Sequence, residues 1–133
     1  MTSTPMAPVS WGELLDKITI LQIKAERLTD AAKRANVVTE LTLLSQIAGD
    51  ALKDVAPLVA ELKKINEALW EIEDHIRDKE AAAAFDAEFI ALARSVYVTN
   101  DRRAELKRDI NRALNSALVE EKSYKPYTAG SQK

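Results

Sequence analysis

Apolar residues along this chain recur at alternating steps of three and four through four long stretches, the period of amphipathic helices and not the alternation of strands. The cleanest run is Val55, Leu58, Leu62, Ile65, Leu69, Ile72 and Ile76, an a/d heptad seam, with Pro57 early enough to sit in a first helical turn. The spacing predicts a coiled-coil-like third helix that continues through the alanines at 81–84. Phe85-Asp86 then turns the chain, and Asp86 caps a fourth helix. That helix repeats the seam with Phe89, Leu92, Val96, Thr99, Arg103, Leu106, Ile110 and Ala113, so two of its seam positions are polar.

Two shorter helices precede this pair. Ser10-Trp11-Gly12-Glu13 has the spacing of a capping box, in which Ser10 accepts from the Glu13 N–H and Glu13 reaches back to Ser10. Leu14, Ile18, Leu21, Ala25 and Leu28 form the core stripe of the first helix. Leu15, Ile20 and Ile23 widen it, which predicts packing on two sides and an exposed apolar strip at Ile20 and Ile23. Asp30 is the expected cap of a second helix built on Val37, Val38, Leu41, Leu44, Ile47 and Ala48, and Gly49-Asp50 is its stop.

The expected fold is therefore all-α: a helical bundle of about four helices over residues 10–119, dominated by a long antiparallel hairpin of the third and fourth. Residues 1–9 read as a disordered N-terminal arm. Residues 120–133, with Pro126 and Gly130, read as an extended or disordered tail that lays Tyr124 and Tyr127 on the bundle. At 1.5 Å per residue the hairpin helices span roughly 42 Å and the first two only about 28 Å. Part of the seam is left uncovered, and the expected cover is a protein partner or a second copy in a homodimer.

Composition narrows the chemistry. The 133 residues contain no cysteine, which removes disulfides, thiolate catalysis and cysteine-ligated metals. The 19 basic and 21 acidic residues are mixed along the chain and offer no basic stripe, so nucleic acid is not an expected partner. No run of about 18 apolar residues predicts a membrane span, and the first ten residues carry no leader pattern, which points to the cytoplasm.

WEIEDHIRDKE, residues 70–80, sets seven charged side chains, a tryptophan and the single histidine on one helix. Glu73 and Arg77 form a favourable i, i+4 pair, and the row reads as a solvated face. A di-iron motif needs Glu three residues before His75, where Ile72 stands. The acidic pairs Glu13/Asp16 and Glu71/Asp74 have the spacing of a shared Mg²⁺ site, but more than fifty residues part them and Lys17 and Arg77 adjoin them. No metal or other cofactor is expected.

The polar seam positions are the sharper candidate. In an antiparallel hairpin Arg103 meets Asn66 and Thr99 meets Trp70. A charge in a seam needs a carboxylate, for which Asp16, Glu13 and Glu67 are the candidates. Such a layer fixes register, or with Arg103, Arg102, Asn100, Trp70 and Asn66 it makes a site for an anion or a partner's carboxylate.

The blocks PVSWGELLDKITILQIK, LWEIEDHIRDKE and ARSVYVTNDRRAELKRDIN resemble those of a bacterial domain family with no assigned function, over nearly the whole chain. The resemblance implies no catalytic residues. The expected role is a protein-interaction or self-association module. The alternative is a helical enzyme acting on a phosphate or carboxylate ligand. It is either similar to nucleotide pyrophosphohydrolases through the acidic pairs, or similar to helical chorismate mutases through ELLDKITILQIKAERL, with Lys17, Lys24, Arg27, Arg102 and Arg103 as anion holders.

Overall fold

A computed structural model describes residues 3–127 and is all-helical among them, with five helices and no strand: α1 (Trp11–Arg27), α2 (Ala31–Ala48), α3 (Ala51–Asp54), α4 (Ala56–Ala81) and α5 (Ala87–Ala113). Residues 1–2 of the expected arm and 128–133 of the expected tail lie outside the described residues. No helix is long and apolar enough to cross a membrane among the described residues.

Most helix starts fall where side-chain acceptors stand ready for orphan N–H groups. Ser10, Asp30 and Asp86 accept from the N–H groups of Glu13, Lys33 and Phe89. Only half of the expected capping box forms, because the Glu13 carboxylate turns to Lys107 of α5 at 2.8 Å. Gly49 ends α2 at φ +54°, but the chain then makes the extra single turn α3 that periodicity could not signal in four residues.

The helix built on the heptad seam is α4, and it stops at Ala81, short of the alanine run expected to extend it. The alanines that favour helix are overruled by a Schellman closure: Ala84 N–H donates to Lys79 O at 2.9 Å and Ala83 N–H to Glu80 O at 3.0 Å, with Ala83 left-handed at φ 51°. An L-residue there is strained by about 1 kcal/mol. Ala83→Gly is expected to raise stability by about 0.5–1 kcal/mol, read as a higher denaturation midpoint at unchanged slope.

The core sits where α1 lies across α4 and the C-terminal half of α5. Leu15, Ile18, Leu62, Leu106 and Ile110 are fully buried there, each worth about 1.5–3 kcal/mol. Helix α1 is packed on two sides, by α2 and by α4 with α5. The expected exposed strip on α1 is not found: Ile23 is 1% exposed and Ile20 is half-buried. Beyond the end of α1 no other described helix packs on the hairpin, and no residue from 67 to 105 is buried. Seam residues Leu69, Ile72, Ile76, Phe89, Leu92 and Val96 shield one another only partly.

Candidate functional site

A polar layer crosses the bundle just where the buried core gives way to the free hairpin. Asp16 of α1 is 1% exposed, and Thr19 one turn on and Asn66 of α4 are buried beside it. Asn66 Nδ2 donates to Asp16 Oδ1 and to Thr19 Oγ1, both at 2.9 Å, and Thr19 Oγ1 donates to the Asp16 carbonyl at 2.7 Å. Arg103 of α5 then closes on the carboxylate side-on, Nε to Oδ1 at 2.9 Å and Nη2 to Oδ2 at 2.5 Å. The hydrogen bonds to Asp16 raise the guanidinium pKa above its already high ordinary value, against the pull of burial. A carboxylate buried to this degree is tolerable because Arg103 pairs its charge and three hydrogen bonds reach its oxygens.

Arg103 is held on one edge only. Of the guanidinium's five donors, two go to Asp16 and one reaches Asn100 Oδ1 at a long 3.5 Å. The end-on edge of Nη1 and Nη2 meets no other protein acceptor among the described residues. Arg103 lines a cleft of about 380 Å³ whose walls also include Val96, Tyr97, Asn100, Lys107, Lys122 and Tyr124.

The segment after α5 forms the outer wall of this cleft. Asn115, left-handed at φ 52°, closes α5 in a second Schellman turn, with Ser116 N–H donating to Asn111 O at 2.8 Å. The chain then returns along α5, and Tyr127 meets Tyr97 edge-on with ring centroids 5.1 Å apart. Lys107, whose side chain is 8% exposed, holds Glu120 of this segment at 2.6 Å and Glu13 at 2.8 Å. Burial pulls the Lys107 ammonium down, but the two carboxylates outweigh it and leave its pKa raised.

Glu120 lies below its ordinary carboxylate range, first through its hydrogen bond from Lys107 and against burial. A lowered folded pKa contributes stability above the unfolded value and loses it as pH falls through the folded one. Acidification from about pH 6 to about pH 3 is therefore expected to release the Tyr97–Tyr127 contact before the bundle melts. Ring-proton shifts of the two tyrosines check this, and simultaneous loss of both would contradict it.

Of the residues that sequence placed in one site, the structure gathers Arg103 and Asn100 on the cleft. Asn66 reaches Asp16, not Arg103, from behind. Trp70 and Arg103 line a second groove of about 420 Å³ with Ile20, Ile23, Asn66 and Leu69, and Trp70 lies under Arg27 at 5.7 Å. Arg102 leaves the site altogether, bonding Glu61 at 2.7 Å and Glu105 at 3.0 Å on the surface.

The acidic pairs are divided among cations, Glu13 and Asp16 with Lys107 and Arg103, Glu71 with Arg27. Among the described residues no group of three metal-ligating side chains converges. The cations of the chorismate-mutase-like reading are likewise dispersed: Lys17 bonds Glu40, Arg27 bonds Glu71, and Arg102 bonds Glu61.

Sequence reasoning missed the cleft's other half. Lys107 stands one turn after Arg103 on the same face, and that i, i+4 relation was the available signal. Tyr97 lies off the seam, and Lys122 and Tyr124 come from a segment without periodicity, so no pattern could bring them in.

A comparison with family models matches residues 6–132 to a family of unknown function, DUF6165. Comparisons with curated proteins and with solved structures give no match.

Proposed function

The chain belongs to that family of unknown function, and since membership assigns no chemistry we propose from the geometry that it is a binding module that captures a carboxylate of a partner protein in the Arg103 cleft. The observation that carries the reading is an arginine that is held side-on by a buried aspartate and also lines a cleft walled by Tyr97 and Tyr124. Arginine held this way is pre-organised. A second carboxylate meets a fork already in place and pays little side-chain entropy.

Electrostatics favours a monoanion. Arg103, Lys107 and Lys122 border the cleft, but Asp16, Glu13 and Glu120 neutralise much of their charge and Asp101 adds another acid. A phosphate dianion would meet those carboxylates as well as the cations. The tyrosine rings add apolar contact for a side chain next to the carboxylate.

Binding also fits better than turnover. The Ser95 and Ser116 hydroxyls donate to the carbonyls of Leu92 and Leu118, and Arg103, Lys107 and Lys122 are each in an ion pair.

The test uses 3-phenylpropionate, a ring and one carboxylate, on the full chain. It is expected to raise the melting temperature at roughly millimolar concentration, as a ligand of its size would. Inorganic phosphate is expected to do much less. Tyr97→Ala should weaken the effect about tenfold while leaving the buried layer intact. Equal stabilisation by phosphate, or an unchanged response in Tyr97→Ala, would refute the reading.

A further inference from the structure

Among the described residues, the outer side of helix α2 is covered by no other helix. It packs on α1 and touches α3. Its outward face presents Ala35, Asn36, Thr39, Leu43, Gln46 and Ile47, with Leu43 50% and Ile47 54% exposed. From residue 35 to 49 the only charge is Glu40, and it bonds Lys17 of α1 at 3.1 Å. An exposed stretch of four turns without a free charge is unusual on a solvated helix, and depletion of charge at the centre of a face is the mark of an interface. The free end of the hairpin is the rival surface by length and also exposes Phe85 and Ile90, but α4 sets Glu71, Glu73, Asp74, Arg77 and Asp78 there, the signature of solvation.

We propose that this face docks on α2 of a second copy, antiparallel about a two-fold axis. Self-pairing follows from how the face is ordered. Small residues stand in its N-terminal half and large apolar ones in its C-terminal half, so reversal sets Ala35 against Ile47 and Thr39 against Leu43 of the other chain. The same register brings the amides of Asn36 and Gln46 together. It also sets Lys33, at the basic end, beside Asp50, at the acidic end. All of these side chains are exposed. An 18-residue helix is about 27 Å long, so one such contact falls short of the roughly 800 Å² per partner of a standard interface. The dimer is accordingly weak and forms at tens to hundreds of micromolar.

Sedimentation velocity on the full chain from roughly 5 to 500 μM tests this. Wild type is expected to pass from monomer to dimer across that range. Leu43→Glu, an exposed position that does not touch the core, should raise the dissociation constant at least tenfold, whereas Ile90→Glu on the hairpin should leave it unchanged. Lys33→Glu should weaken the dimer, and adding Asp50→Lys should restore it, since each copy then again offers opposite charges. Asp50 makes no side-chain cap bond, so its replacement costs the fold little. A monomer at every concentration, a dimer indifferent to Leu43→Glu, or a charge reversal that fails to rescue would each overturn the proposal.

Discussion

Replacing Arg103 by Leu is expected to cost about 3–5 kcal/mol and to lower the melting temperature by roughly 10 °C or more. Leucine suits the seam, so packing is not the cause. The loss comes from Asp16, 1% exposed, whose charge would keep only the Asn66 donor. Adding Asp16→Asn removes the stranded charge while leaving an acceptor for Asn66. The double variant is expected to return to wild-type stability or above it, and urea unfolding of the four-member cycle measures the coupling directly. An Arg103→Leu variant as stable as wild type at pH 8 would show that the pair does not hold the layer together.

Gly12→Ala should be nearly as damaging, at about 2–4 kcal/mol, against an expected gain near 1 kcal/mol from helix propensity alone. The first turn of α1 is clasped to the end of α5. Gly12 N–H donates to Asn111 Oδ1 at 2.7 Å, Trp11 N–H to Ser116 Oγ at 3.1 Å, and Glu13 N–H to Ser10 Oγ at 3.1 Å. A methyl group on Gly12 would stand 2.5 Å from the Lys107 carbonyl oxygen and 3.0 Å from Asn111 Oδ1. Neither the helix backbone nor a bonded amide can yield that distance cheaply, so α1 would have to lift off α5. Gly49→Ala is the control: at φ +54° it is strained, but its nearest new contact is 3.9 Å away, and only about 1 kcal/mol is at stake. Chemical denaturation of both variants gives the comparison, and a Gly12→Ala protein as stable as Gly49→Ala would remove the clasp from the account.

What sequence could and could not show follows from the range of each interaction. Caps and seams are local. Ser10, Asp30 and Asp86 were legible because each bonds an N–H three residues away, and the α4 and α5 seams because apolar spacing repeats within each helix. The partner of Arg103 was legible as a requirement, since a seam charge demands a carboxylate, and Asp16 was among the three candidates. What escaped depends on contacts between distant segments. Gly12 meets Asn111 across 99 residues, and a glycine inside a helical pattern was the one hint that two backbones approach closely there. The early stop at Ala81 escaped because alanine favours helix while the Schellman turn answers to where Phe85 and Asp86 redirect the chain. Ile23 was assigned to an exposed strip because one helix's periodicity does not say how many neighbours surround it.

Capture of a carboxylate by Arg103 is read most directly from the signal of its own Nε–H. Nitrogen-resolved NMR of the Arg103 Nε–Hε group, titrated with 3-phenylpropionate and separately with its neutral amide, compares ligands of the same shape that differ in charge. A saturable shift of this resonance is expected with the acid, accompanied by the side-chain amide of Asn100, and little response to the amide, while the Asn66 side chain behind Asp16 stays in place. Identical responses to acid and amide, or a shift spread evenly over the exposed arginines with Arg103 unmoved, would contradict it.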